Sequence, residues 1–182
     1  ANIYQMEEAK IPFYFVNNHN DNKTLNLIDS LSVSVLLNAG TPRKLNQNIF
    51  SNVKHGCINV HPGLLPFYRG CSAVEWALFN DDKIGNTAHF INKKYDEGNI
   101  ITSEWYKFSK DTDYQSIRTR VYKEGISLAG RVLREVLDKN MLPTDGIRQD
   151  PYSAKYWNPI PDDKFKTVLK KVSEGKYRYQ IL

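Results

Sequence analysis

Apolar and polar positions along this chain change period repeatedly, and each change marks a predicted element. Residues 11–16 form a continuous apolar and aromatic run, which predicts a strand. After a polar loop, Leu25, Ile28 and Leu31 recur at helical spacing and predict a short helix over residues 24–31. Residues 33–37 predict a continuous buried strand of the parallel-sheet type. The turn that follows, Asn38 to Pro42, leads into a second short helix ending near Ile49. Residues 57–60 are a short apolar run that breaks on Pro62, Gly63 and Pro66, so they read as a strand whose carboxyl end enters a loop. Ala73, Trp76 and Ala77 share one side of a helix predicted over residues 73–79, and residues 86–91 and 100–108 predict two more strands, the second more exposed.

Asp113 can cap a long helix running to about Lys139, on which Ile117, Val121, Leu128, Val132 and Val136 mark the apolar face. Gly125 and Gly130 lie within it as expected points of close packing. Residues 141–161 are rich in Pro, Tyr and Trp without a period. A final helix is predicted over residues 161–174, where Phe165, Val168, Leu169 and Val172 fall together, and residues 177–182 are expected to trail off. Trp76 is expected in the core, and core or partner packing is expected for Trp105 and Trp157. Strand and helix alternate throughout, which argues for an α/β fold with a parallel sheet.

Length and composition narrow this little further. A chain of 182 residues can bury one sizeable core, so one domain with a C-terminal extension is expected: residues 1–140 and residues 141–182. No apolar run reaches membrane-spanning length, and residues 1–10 lack the pattern of a secretory signal. Two cysteines, Cys57 and Cys71, make neither a disulfide framework nor a zinc site, so a reduced, cytoplasmic setting is expected. The net charge of +5 raises a nucleic-acid reading. The basic residues are spread, however, apart from those on the long helix and near the end, which read as solvated faces.

The candidate chemistry begins at Asn59 and His61. They are two apart at a strand end, so an extended backbone projects both to one face. A neutral amide beside a group that titrates near neutrality suits a site where charge develops on an oxygen. A second strand, turn and carboxylate answers it, with His89 seven residues before Asp96 and Glu97-Gly98 after. Four scattered histidines offer no metal-ligand spacing, so no metal is expected. No Gly-x-Gly-x-x-Gly follows a strand, which removes a dinucleotide reading.

In the order and spacing of these two stretches the chain resembles the folate-dependent formyltransferase family, over about residues 11–101. The resemblance implies a Rossmann-like formyltransferase sheet, mostly parallel with helices on both faces, and a short C-terminal helical extension. It also implies that the amino-terminal part of the catalytic domain is missing before Ala1. By the same resemblance the catalytic residues are Asn59, His61 and Asp96, with 10-formyltetrahydrofolate as cosubstrate. The pterin would lie between the loop holding Pro42, Arg43 and Leu45 and the loop holding Asn92, Tyr95 and Asp96. His89 would support the active-site loop, and Arg69 would orient a phosphate or that loop.

Formyl transfer from this cosubstrate to a primary amine on a small, nucleotide-linked amino sugar is the expected function, because residues 69–76 look like those of enzymes acting on such sugars. Phosphoribosylglycinamide is the second acceptor and methionyl-tRNA the third. The rivals from other classes are a folate-binding paralogue without catalysis and a nucleic-acid binder. Residues 141–161 are the expected contact of a homodimer.

Overall fold

The computed structural model describes residues 3–41 and 43–181, with side chains from Met6 onward. Its central sheet has four strands: β1 (Leu36–Asn38), β2 (Cys57–His61), β4 (Ile84–Phe90) and β5 (Ile100–Tyr106), in the order β1-β2-β4-β5. A separate two-stranded ribbon pairs β3 (Arg69–Gly70) with β6 (Tyr156–Trp157). Around them lie α1 (Ile3–Glu8), α2 (Asn22–Ser30), α3 (Gln47–Phe50), α4 (Ala73–Phe79), α5 (Tyr114–Asp138) and α6 (Asp162–Ser173). The expected Rossmann-like class is found. The sheet is mixed: β1 and β2 run parallel, whereas the β2–β4 and β4–β5 pairings are antiparallel.

The two faces of the sheet follow from alternation along the strands. Ile58 on β2 and Ala88 and Phe90 on β4 face α5, where Leu128, Val132 and Val136 meet them in one buried cluster. Cys57 lies on the other face with Leu45, Ile49 and Phe50. Helices therefore cover both faces, and Asn59 and His61 share the Cys57 side rather than the α5 side. Helix α5 begins where expected because Asp113 accepts from the Ser116 amide at 2.6 Å. Every predicted apolar position on it is buried. Gly125 is a close approach, since a Cβ there would lie 3.4 Å from the Asn86 side chain, but Gly130 faces open space.

Several expectations are corrected. Residues 11–16 form no strand: they take part in no ladder, and Phe15 is 83% exposed. An apolar run becomes a strand only where another strand pairs with it, and none does so here among the described residues. The buried strand expected over residues 33–37 shortens to β1 at a sheet edge, with Leu37 exposed. Residues 177–181 do not trail off. Tyr177 is buried with its hydroxyl on the Asp82 carbonyl at 2.7 Å, and Phe108 exchanges backbone bonds with Tyr179 and Ile181. Strand β6 and helix α1 were not expected from the sequence pattern. Trp76 is buried as expected, Trp157 packs on it with ring centroids 4.4 Å apart, and Trp105 is 40% exposed.

The C-terminal extension shares the core of the rest of the chain. Val168 and Val172 of α6 and Tyr177 sit in one cluster with Trp76, Leu78, Ile84, Ile117 and Val121. Nearer the site, residues 155–160 lace the Pro-rich loop. Lys155 and Trp157 bond the backbone of residues 66, 69 and 71, the Trp157 indole donates to the Phe67 carbonyl, and the Trp76 indole donates to that of Asn158.

Candidate active site

Strand register sets a row of three polar side chains across the sheet. Asn38 of β1 lies opposite Asn59 of β2, and Asn59 lies opposite His89 of β4. The Asn38 amide donates to Asn59 Oδ1 at 3.1 Å, and Asn59 Nδ2 lies 3.1 Å from His89 Nε2. His89 Nδ1 is 2.9 Å from the Phe90 carbonyl, which only accepts, so Nδ1 carries the proton and Nε2 receives one from Asn59. Burial pushes the His89 imidazole down to about 4 against the opposing pull of Asp96, which keeps the ring neutral near pH 7. Its 3.7 Å approach to Asp96 is therefore no ion pair at that pH. Asn59 has its oxygen and one N–H engaged, which leaves its second N–H for the cavity beside it.

His61 is the next residue of β2 on the same face. Its Nε2 donates to the Tyr68 carbonyl at 2.6 Å, and its Nδ1 lies 3.6 Å from Asp96 Oδ1. Both nitrogens thus face oxygens that only accept. The loop can fold back this closely because residue 63 is glycine. A Cβ there would lie 2.9 Å from both His61 Nε2 and the Tyr68 carbonyl. Thr87, opposite His61, fixes the same loop by donating to the Gly63 carbonyl at 2.8 Å and accepting from the Leu65 amide.

Asp96 approaches from the turn after β4, with φ at +52° in the left-handed region. The Gly70 amide donates to its Oδ2 at 2.8 Å. Gly98 completes the turn where a Cβ would run into the Phe90 carbonyl. The carboxylate thus lies between His61 and His89, and the three residues expected to carry the chemistry meet through it and His89.

A cavity of about 200 Å³ opens beside Asn59, His89 and Asp96. Arg43, Leu45, Asn92 and Tyr95, all expected to hold the pterin, line it; Pro42 lies outside the described residues. Lys44 sits over the Tyr95 ring at 4.8 Å, and Lys94 joins it in the lining. Sequence reasoning missed Asn38 and Ile91 in these walls, and the signal for Asn38 is only a polar residue ending an apolar run. The Arg69 guanidinium bonds Gln149 and lies 3.3 Å from Glu97. His61 borders a second cavity of about 200 Å³ with Gly70, Ser72, Glu75, Arg118 and Tyr122. Glu75 is buried there, held by Tyr114 at 2.5 Å and Arg118 at 2.7 Å. His55 bonds the Met141 carbonyl at 2.7 Å. Among the described residues no group of three His, Cys, Asp or Glu is arranged to hold a metal, and no helix is long and apolar enough to cross a membrane.

Residues 4–133 match the family model described as formyl transferase. The chain is 27% identical over 155 residues to the bifunctional polymyxin resistance protein ArnA of Wigglesworthia glossinidia brevipalpis, covering 85% of this chain and 23% of that one. It is 33% identical over 138 residues to a methionyl-tRNA formyltransferase of Borrelia garinii subsp. bavariensis, covering 75% of this chain and 42% of that one. The chain spans about half or less of the length of these curated relatives. In fold it is similar to the formyltransferase PseJ from Anoxybacillus kamchatkensis, solved in complex with UDP-4,6-dideoxy-4-formamido-L-AltNAc and tetrahydrofolate. The TM-score is 0.64 at 18% identity, covering 98% of this chain and 96% of that one.

Proposed function

We propose that this chain, which belongs to the formyl transferase family, moves a formyl group from 10-formyltetrahydrofolate to a primary amine using Asn59, His61 and Asp96. The observation that carries the reading is the Asp96 carboxylate held 3.6 Å from His61 in the same cavity wall as Asn59. The cavity fits a folate in kind. Its inner wall offers amide and imidazole groups to a flat ring with polar edges, and Arg43, Lys44 and Lys94 suit the carboxylates of a folate tail.

Attack of a neutral amine on the formyl carbon places negative charge on the former carbonyl oxygen. The second N–H of Asn59 is placed to donate to that oxygen, a contact worth about 3–4 kcal/mol in other enzymes. Asp96 takes the proton that the amine sheds, directly or through one water; the tetrahedral intermediate then collapses, the bond from the formyl carbon to N10 of the folate breaks, and that same proton passes to N10 of the departing tetrahydrofolate. His61, on the far side of the carboxylate, accepts that proton or balances the carboxylate charge through Nδ1. In this reading His61 does not donate to the oxyanion itself, because its Nε2 is engaged by the Tyr68 carbonyl.

A nucleotide-linked amino sugar is the acceptor this reading favours. It is supported by the ligand of the similar PseJ structure and by the second cavity, which gathers hydroxyl, carboxylate and guanidinium groups next to His61. Methionyl-tRNA is the alternative favoured by the curated relatives. Incubation with 10-formyltetrahydrofolate and a panel of a nucleotide-linked amino sugar, phosphoribosylglycinamide and methionyl-tRNA decides the matter through release of tetrahydrofolate. Formylation of the sugar alone is expected. Folate binding with no acceptor formylated would make the chain a binding paralogue. Asn59→Ala and His61→Ala should each lower kcat about 100-fold or more, and Asp96→Asn should lose activity at nearly unchanged folate affinity. Full activity in any of the three would remove this mechanism.

A further inference from the structure

The turn that carries Asp96 is closed by a residue far from it in sequence. Gln149, buried in the extension, donates through Nε2 to the Asp96 carbonyl at 2.8 Å and to the Gly98 carbonyl at 2.7 Å. Its Oε1 accepts from Arg69 Nε at 3.0 Å and from Arg69 Nη2 at 2.8 Å. The amide thus uses both donors and both lone pairs, so nothing in it is left for solvent or ligand.

The contacts form a ring with Asp96 at both ends. One arm runs from Gln149 to the Asp96 carbonyl. The other runs through Arg69 to its neighbour Gly70, whose amide donates to the Asp96 carboxylate. Fixing a backbone oxygen and a side-chain oxygen of one residue against the same strand leaves little freedom about its χ1. That restraint matters at Asp96, which sits at positive φ, where an L-residue is less at ease than in a strand or helix. A merely structural tie would need only one of the two arms.

We propose that Gln149 is a positioning residue for formyl transfer: from the extension, and without contacting a reactant, it sets the orientation of Asp96 toward His61. This rests on the reading of Asp96 as the proton-accepting carboxylate. A neutral amide is the group the position requires. A carboxylate could not donate to two carbonyls and would add negative charge beside Asp96, and a lysine could not accept from Arg69.

A double-mutant cycle on the full chain tests it, using 10-formyltetrahydrofolate and whichever acceptor the panel shows to be formylated. Gln149→Leu keeps the size of the side chain and removes its bonds. It is expected to lower kcat 30-fold or more, with KM for donor and acceptor within about twofold of the parent. In an Asp96→Asn background the same substitution should cost less than threefold. An undiminished loss in that background would show that Gln149 acts independently of Asp96 and overturn the proposal, as would parent-like kcat in Gln149→Leu. If Gln149→Leu does not fold, Arg69→Lys opens the ring at its other arm and must show the same dependence on Asp96, or the proposal falls. An ineffective Asp96→Asn would instead strike the assignment of Asp96 itself.

Discussion

His89 illustrates how much a single side chain can depend on strand register. Its neutral ring accepts from Asn59, and protonation would remove the lone pair that makes that bond. Its imidazole is held near 4 in the folded chain, against about 6.5 when unfolded, so the unfolded state binds the extra proton between those values. The contribution of His89 to stability is therefore fully present above about pH 6.5 and is lost as pH falls through about 4. The gap corresponds to roughly 3 kcal/mol. His89→Gln should flatten the fall in denaturation free energy between pH 6.5 and 4.5, and an unchanged slope would show that other groups cause it. That Asn59 and His61 share a face followed from their spacing, and that Asp96 joins them was expected from the resemblance; the structure brings the three into one neighbourhood. The partners of Asn59 were not legible in the sequence, because Asn38 and His89 reach it through strand pairing, which no local pattern encodes. Gln149 was equally hidden, since a lone glutamine in an aperiodic stretch carries no signal.

Helix α5 was the most readable element. Its cap and its apolar stripe each give a local signal, and they agree. The two glycines within it looked alike in sequence but differ in the fold. Gly125 packs against Asn86, whose amide donates to the Val121 carbonyl at 2.8 Å, whereas Gly130 meets nothing. Gly130→Ala should thus stabilise the chain by about 0.5–1 kcal/mol, through helix propensity and a less flexible unfolded state. A lower melting temperature in that variant would contradict the open surroundings of residue 130. The strand expected at residues 11–16 failed for the reason that α5 succeeded. A helix makes its own hydrogen bonds, whereas a strand needs a partner that its sequence does not name. Ribbon β3–β6 joins segments more than 80 residues apart and was invisible on the same ground.

At the scale of the whole molecule, the division into residues 1–140 and 141–182 marks a change in sequence pattern, and packing crosses it. Val168, Val172 and Tyr177 belong to the cluster built on α4, β4 and α5, and Lys171 donates to the Leu78 and Phe79 carbonyls at the end of α4. Removing residues 141–182 would expose those apolar side chains and leave the Pro-rich loop without its backbone partners. The shortened chain should show no cooperative thermal transition. A sharp transition within a few degrees of the parent would establish residues 1–140 as independently stable.

The lacing of the reaction centre by late residues also sets an order in biosynthesis. A ribosome delivers the Asp96 turn 53 residues before the glutamine that closes it, and at roughly 5–20 residues per second several seconds pass between them. During that interval α5 and the sheet can already be collapsing, yet the carboxylate still lacks its brace. A nascent chain should accordingly stay inert until residue 149 has been added and is free to fold, so that in a translation extract chains stalled before it show no turnover.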